Sequence, residues 1–356
     1  MRKLDLRMFF TPVDSQSKRA NNFNIIRFIA AFMVVYGHMS SIMGAPDCLI
    51  LSQKVSTIGV KTIFTISGYL IAKSWLSDSH YGRFMIRRTF RIFPALIVVV
   101  LLSAYVLGPI MTTLPVAEYF SDYGTRFYLK NILMFPVYAL PGVFTDCPSP
   151  NAVNGSLWTM PIEFGLYLVL PVLLTVFKKL KVERIAVGCA AILSLLISVL
   201  YSDTRWVIYG TNIPSAFTLL PYYFAGVFFA LPEMRSNLNI QLATILLVLA
   251  SFIDRNTAVN EIAVAIALPY FVLSFGLMEK PAFSKWFEKA DYAYGIYLYG
   301  FPVQQMMQHF LGSYGLSVLF MSIVSFVIAL LLAMVSWRVV EKPVQGLTHR
   351  MLQLMK

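Results

Sequence analysis

Charge is scarce in this chain. Only 13% of its 356 residues are Asp, Glu, Lys or Arg and 58% are hydrophobic, where soluble domains carry about a quarter charged residues. That balance excludes a soluble fold of this length. The chain also lacks a short-period repeat and any low-complexity tract, which excludes solenoids and repeat arrays. Its N-terminus has charged residues but no short apolar core followed by a small-residue cleavage site. The first apolar helix is therefore expected to serve as the insertion signal. Cysteine is rare, at Cys48, Cys147 and Cys189. The first two are expected on the outer side, where an oxidising compartment would allow a disulfide between them; unpaired cysteines among apolar residues are the other reading.

Apolar stretches of about twenty residues recur from end to end, each long enough to cross about 30 Å of hydrocarbon as a helix. The expected fold is an all-α polytopic membrane protein with a single transmembrane domain over 24–338, an N-terminal arm over 1–23 and a short tail over 339–356. Ten spans are predicted, at 24–43, 55–73, 92–112, 157–177, 184–202, 213–231, 239–254, 258–278, 292–311 and 315–338. Acidic residues number 17 against 29 Lys and Arg, a net charge of +12. The basic residues gather in the N-terminal arm, the second-to-third loop, "KKLKVER", "EMRSN", "EKPAFSKWFEK" and the tail. Ten spans put all of these on one side, which the positive-inside rule makes cytoplasmic, with both termini. The positive charge thus reads as topology, and no nucleic-acid partner is expected. Residues 123–140 are expected to form an interfacial or re-entrant helix under the outer leaflet, since a span there would invert every later loop.

Ionisable residues inside the spans carry the chemistry. Arg27 and His38 are eleven residues apart in "NNFNIIRFIAAFMVVYGHMS". Eleven residues make three turns plus about 20°, so the two share one helix face about 16 Å apart along its axis. Arg27 either snorkels to the inner headgroups or serves a site. Lys61 and Glu163 are expected at a depth similar to His38, on two further spans. One reading is a polar cavity opening outward, with Glu163 fixing the tautomer of His38 as general base. The other is a buried Lys–Glu pair with a structural role. Arg83, Arg87 and Arg91 are four apart on one expected helix face with Arg88 beside them. They form either a lipid-binding juxtamembrane cluster or a phosphate site.

These residues resemble a family. "NIIRFIAAFMVVYGH", "FTISGYLI", "RRTFRIFPAL", "GSLWTMPIEFGLYLVLP", "YGIYLYGFPV" and "WRVVEKP" run in the order of the signatures of the acyltransferase 3 family, integral-membrane acyltransferases that include polysaccharide O-acetyltransferases of bacteria. The resemblance implies ten spans in a bacterial inner membrane and an acyl-coenzyme A donor on the cytoplasmic side, most simply acetyl-CoA. It implies a carbohydrate hydroxyl acceptor such as a lipopolysaccharide, capsule or exopolysaccharide sugar, with no metal. It marks Arg27 and His38 as the family's Arg–His pair, Arg87, Arg88 and Arg91 as its basic motif, and Glu163 as the acid of its tryptophan–glutamate motif beside Trp158. The expected roles are therefore His38 and Glu163 in catalysis and Arg27, Arg87, Arg88 and Arg91 at the donor phosphates. Lys61, Ser67 and Trp158 are expected to line the cavity, Ser67 in a "SGY" stretch prone to unwind. Two departures stand out. Gly300 occupies a position where the family often has histidine, and Asn24 one where it often has aspartate three residues before the arginine. A transporter or flippase is the rival class, since it too would hold intramembrane charges around a polar cavity.

Overall fold

The computed structural model describes residues 21–148, 151–201, 204–254, 257–278 and 291–355. The predicted N-terminal arm lies almost entirely outside them. We number the long helices α1 to α10 in chain order: α1 Phe23–Ile42, α2 Val55–Ser77, α3 Tyr81–Leu102, α4 Met160–Lys179, α5 Glu183–Tyr201, α6 Leu220–Ala230, α7 Ile240–Ser251, α8 Ala258–Gly276, α9 Ala293–Leu311 and α10 Val318–Ser336. Strand is confined, among the described residues, to two two-stranded hairpins. Among the described residues, eight helical stretches are long and apolar enough to cross a membrane. Of the remaining two helices, α7 has 12 residues, and α9 carries Gln304, Gln305, Gln308 and His309 along its second half.

The helices differ in what they face. Of the most apolar window of α2, 78% is buried, against 17% for α5. α2 is therefore the central post, while α5 turns Ile185, Ile192, Leu193, Leu196 and Leu200 outward, the pattern of a helix against lipid. Helices in a bilayer gain little from hydrophobic association and meet through small residues. The α2–α6 crossing follows that rule. A methyl group on Gly68 would collide with the Tyr223 carbonyl, and one on Gly226 with the Thr65 carbonyl. Gly68 therefore serves a close helix contact, and "SGY" does not unwind: α2 is helical throughout.

Other local expectations change. The basic segment before the third predicted span is itself helical, because α3 begins at Tyr81; Met111 ends a continuous helical stretch that includes one π turn. Residues 123–140 do not form one helix. Tyr123–Tyr128 is α-helical and Leu129–Leu133 is 3-10, and the run stops at Met134, which is left-handed with φ 62°. The tail is helical as well. α10 passes through a π turn at Trp337–Glu341 into a helix over Lys342–Leu354. Cys48, Cys147 and Cys189 are all unpaired.

One loop matters for everything that follows. Phe144 and then Ala152, Asn154 and Ser156 meet α9 in antiparallel order. Phe144 packs on His309, the Ala152 carbonyl accepts from Gln305 Nε2 at 2.7 Å, Asn154 Nδ2 donates to the Leu298 carbonyl at 2.9 Å, and the Ser156 carbonyl accepts from Tyr297 Oη at 2.8 Å. From position 309 to 297 a helix covers about 18 Å. The loop thus descends more than half the length of α9 before α4 begins.

Candidate functional site

That descent sets the depth of Glu163. Counted from the sequence, Glu163 belongs near His38 and Lys61, close to the outer end of its span. The start of α4, however, is delivered beside Tyr297, one turn from the first residues of α9. Glu163 therefore faces Arg27, Arg88 and Arg91 in a cavity of about 310 Å³, which Asn24, Ser67, Thr159, Met160, Tyr167, Asp291, Tyr294 and Tyr297 also line. Five helices contribute side chains to it: α1, α2, α3, α4 and α9. Tyr167, one turn on from Glu163, donates its hydroxyl to Glu163 Oε1 at 2.5 Å. Ser67 reaches this cavity from α2, not the outward one expected around His38; Trp158 does not line it, and its neighbours Thr159 and Met160 take that place.

The arginines divide. Arg27 points into the cavity and its Nη1 lies 2.6 Å from Asp291 Oδ2; Arg91 Nη2 lies 2.6 Å from the same oxygen. Arg27 does not snorkel. Arg87, with Arg83, is drawn to Asp78 at the end of α2, and it does not line the cavity. Hydrogen bonds from Arg83, joined by those from Arg87, hold the Asp78 carboxyl well below the usual carboxylate range. Arg88 stacks over the rings of Phe84 and Tyr167, 5.4 and 5.9 Å from their centroids. Among the described residues it has no carboxylate at ion-pair distance. Within the lining, three guanidinium groups (Arg27, Arg88, Arg91) face two carboxylates (Glu163, Asp291). Formally fully ionised, the lining keeps one positive charge. Asp291 was missed by the sequence reading because it lies outside every recognised motif and far along the chain from Arg27.

The outward cavity predicted around His38, Lys61 and Glu163 does not form. Lys61 is buried and donates to Gln53 Oε1 at 2.7 Å and Glu261 Oε2 at 3.0 Å, with its ammonium 4.9 Å from the Tyr222 ring centroid. Gln53 in turn donates to Asn260 at 3.0 Å. This is the structural Lys–Glu pair, with Glu261 and not Glu163 as the acid. His38 does share its face of α1 with Arg27, since both meet α9: Arg27 through Asp291 and His38 edge-on against Phe301, ring centroids 5.3 Å apart. Phe301 is one turn, about 6 Å, past Tyr297. His38 therefore sits beyond the far end of the cavity, and Glu163, engaged with Tyr167, does not orient it. Gly300 fits tightly in this contact: a methyl group there would meet Val35 Cγ2 at 3.3 Å, and the Val35 carbonyl already accepts from Gln304 at 2.6 Å.

The chain is similar to several known proteins. An O-acetyl transferase of Shigella phage Sf6 is 30% identical over 339 residues, covering 91% of this chain and 96% of that protein. A peptidoglycan O-acetyltransferase of Listeria monocytogenes is 30% identical over 184 residues, 46% of this chain and 28% of its own length. Nodulation protein 10 of Rhizobium leguminosarum is 30% identical over 177 residues, 47% of this chain and 48% of its own. No solved structure matches. Residues 21–338 match the acyltransferase-domain family, and with its signatures in order around one arginine-lined cavity the chain belongs to the acyltransferase 3 family of membrane acyltransferases.

Proposed function

We propose that the protein is a membrane O-acetyltransferase that moves an acetyl group from cytoplasmic acetyl-CoA to a hydroxyl of a surface or exported carbohydrate. The observation that carries this reading is Arg88, a guanidinium that lines the cavity and, among the described residues, lies at ion-pair distance from no carboxylate. Such a group is a ready partner for phosphate oxygens, since the planar fork matches them and the site is shielded from bulk water. Arg27 and Arg91 flank it and Asp291 holds both in place. The nine-tenths-complete match to the phage O-acetyl transferase supports acetyl and an oxygen acceptor. The positive-inside pattern supports a donor that enters from the arginine end.

Chemistry then falls at the other end of the cavity. The donor's flexible thiol arm would run from the arginines past Glu163 and Tyr297 toward His38. The acceptor hydroxyl attacks the thioester carbonyl while His38 takes its proton; the carbon–sulfur bond breaks and the coenzyme A thiolate leaves, to be protonated by the imidazolium. The ester product is released on the sugar side. The alternative passes through acylated His38: a carbon–nitrogen bond to the imidazole forms as the carbon–sulfur bond breaks and the thiolate takes the ring proton, and the acceptor hydroxyl then displaces the imidazole, which takes up its proton.

The test uses the purified protein in membranes of defined lipid with acetyl-CoA and the host's glycan, following free thiol and mass increase of the glycan. His38→Ala is expected to lower transfer by about a hundred- to ten-thousand-fold, the usual loss of a general base. Arg27→Lys, which keeps the charge but loses the fork to Asp291, is expected to be impaired also. Movement of solute without thiol release would overturn the reading in favour of a transporter.

A further inference from the structure

The loop that descends along α9 is pinned at its lower end by the hydrogen bonds of Ala152, Asn154 and Ser156. At its upper end, at the tip of α9 opposite Asp291, a different set of groups meets. Asp146 and Cys147 come from the loop and His309 from the helix. Their ligand-bearing atoms all lie within 4.8 Å of one another. No hydrogen bond joins the three side chains, although a carboxylate, a thiol and an imidazole in such proximity could readily form one. The His309 Nδ1 to Asp146 Oδ1 separation is 3.6 Å, beyond a good hydrogen bond. It is close to the roughly 3.4 Å expected for two ligands sharing one tetrahedral ion with metal–ligand lengths near 2.1 Å.

We propose that Asp146, Cys147 and His309 form a zinc site that staples the upper end of this loop to α9. Thiolate, imidazole and carboxylate together suit Zn²⁺ better than the hard cations calcium or magnesium, which take all-oxygen shells. With three protein ligands, a water would complete a four-coordinate shell. Cys147 is buried, so the sulfur is held rigidly, and the Phe144 ring beside His309 limits the imidazole's swing. Binding replaces the thiol proton by the metal: one Zn²⁺ enters and one proton leaves. The consequence is mechanical. The same loop leads into Thr159 and Glu163, so the staple limits slack in the segment that delivers them to the cavity. The ion would be structural and would lie away from the arginine-lined cavity.

The experiment uses full-length protein with any histidine tag removed, stripped with a chelator and titrated with zinc against a chromophoric competitor. One zinc per chain is expected. Cys147→Ser and His309→Ala should each weaken it by about a hundredfold or more, at least what loss of a supporting contact costs. Because a variant may bind poorly for want of folding, a second measurement uses folded protein carrying Cys48→Ser and Cys189→Ser. Zinc should slow alkylation of the remaining Cys147 at least tenfold, and Asp146→Asn should reduce that protection. Equal zinc binding in wild type and both single variants overturns the proposal. So does unprotected alkylation, or an intact mass showing Cys147 in a disulfide with Cys48.

Discussion

Two groups of buried charges in this bundle look alike in sequence and behave differently in space. Around Lys61 every charge is matched: one ammonium, one carboxylate of Glu261, and amides of Gln53 and Asn260 that complete the chain of hydrogen bonds. Around Arg88 the lining is left with a surplus cation beside about 310 Å³ of open space. A buried ion pair whose partners are satisfied is a structural element whose net contribution is small. An unmatched cation facing a cavity has a reason to exist only if something negative arrives. Burial of charge therefore does not mark a site in this protein; mismatch of charge beside a cavity does.

The sharpest way to break that comparison is Arg88→Ala. At donor concentrations below KM, transfer should fall by about a hundredfold, comparable to loss of one preorganised electrostatic contact, with the loss in donor KM rather than acceptor KM. Unchanged donor KM would return the basic cluster to a lipid-anchoring role. Next in size is Asp291→Asn, expected to reduce transfer by about tenfold by leaving Arg27 and Arg91 to repel each other. Adding Asn24→Asp should restore most of that loss, because residue 24 lines the same cavity one turn from Arg27. Failure of the double variant to exceed the single one would show that Asp291 acts by more than its charge.

The matched cluster should respond in stability instead. Lys61→Ala strands Glu261 and Gln53, and removing one partner of a buried pair typically costs about 3–5 kcal/mol. Glu261 is 37% exposed, so water screens it and the lower end or less is expected. Melting temperature in detergent should drop, donor KM in the surviving protein should not, and Lys61→Met with Glu261→Gln should melt higher than Lys61→Ala. The smallest effect belongs to Arg87→Ala. Its carboxylate partner Asp78 lies outside the cavity lining and keeps Arg83, so transfer should stay within about threefold of wild type, as for exposed ion pairs generally. The depressed Asp78 carboxyl adds a pH signature. Whatever these pairs contribute is fully present above the ordinary carboxylate range and fades as pH falls through the lowered value. The acid limb of the stability curve of Arg87→Ala should accordingly be shallower than that of wild type.

Much of the site could be read from residue order. The shared face of Arg27 and His38 follows from helical periodicity, and both do meet α9. Ser67 lines the arginine cavity instead of the outward one. The error over Glu163 has one cause. Depth was counted from the apparent outer end of each span, and that count fails for α4, whose start is carried down along α9 by the preceding loop. Glu163 therefore exchanged neighbours, from His38 and Lys61 to the arginines. Arg87 separated from Arg88 and Arg91 because Asp78 waits at the end of α2, and Asp291 joined Arg27 across 264 positions of sequence.

By itself the sequence determined the membrane class, the approximate helix boundaries, the family, and which residue types would be available inside the bilayer. Those properties depend on hydrophobicity and on periodicity within one helix, which are local. Tertiary structure alone decided which carboxylate answers which cation, that Lys61 has a carboxylate at ion-pair distance while Arg88, among the described residues, has none, and that Asp146 and Cys147 meet His309 across 163 and 162 positions of chain. The reason is physical: an electrostatic match is a property of distance in three dimensions. In a bundle of antiparallel helices, sequence separation gives almost no measure of that distance.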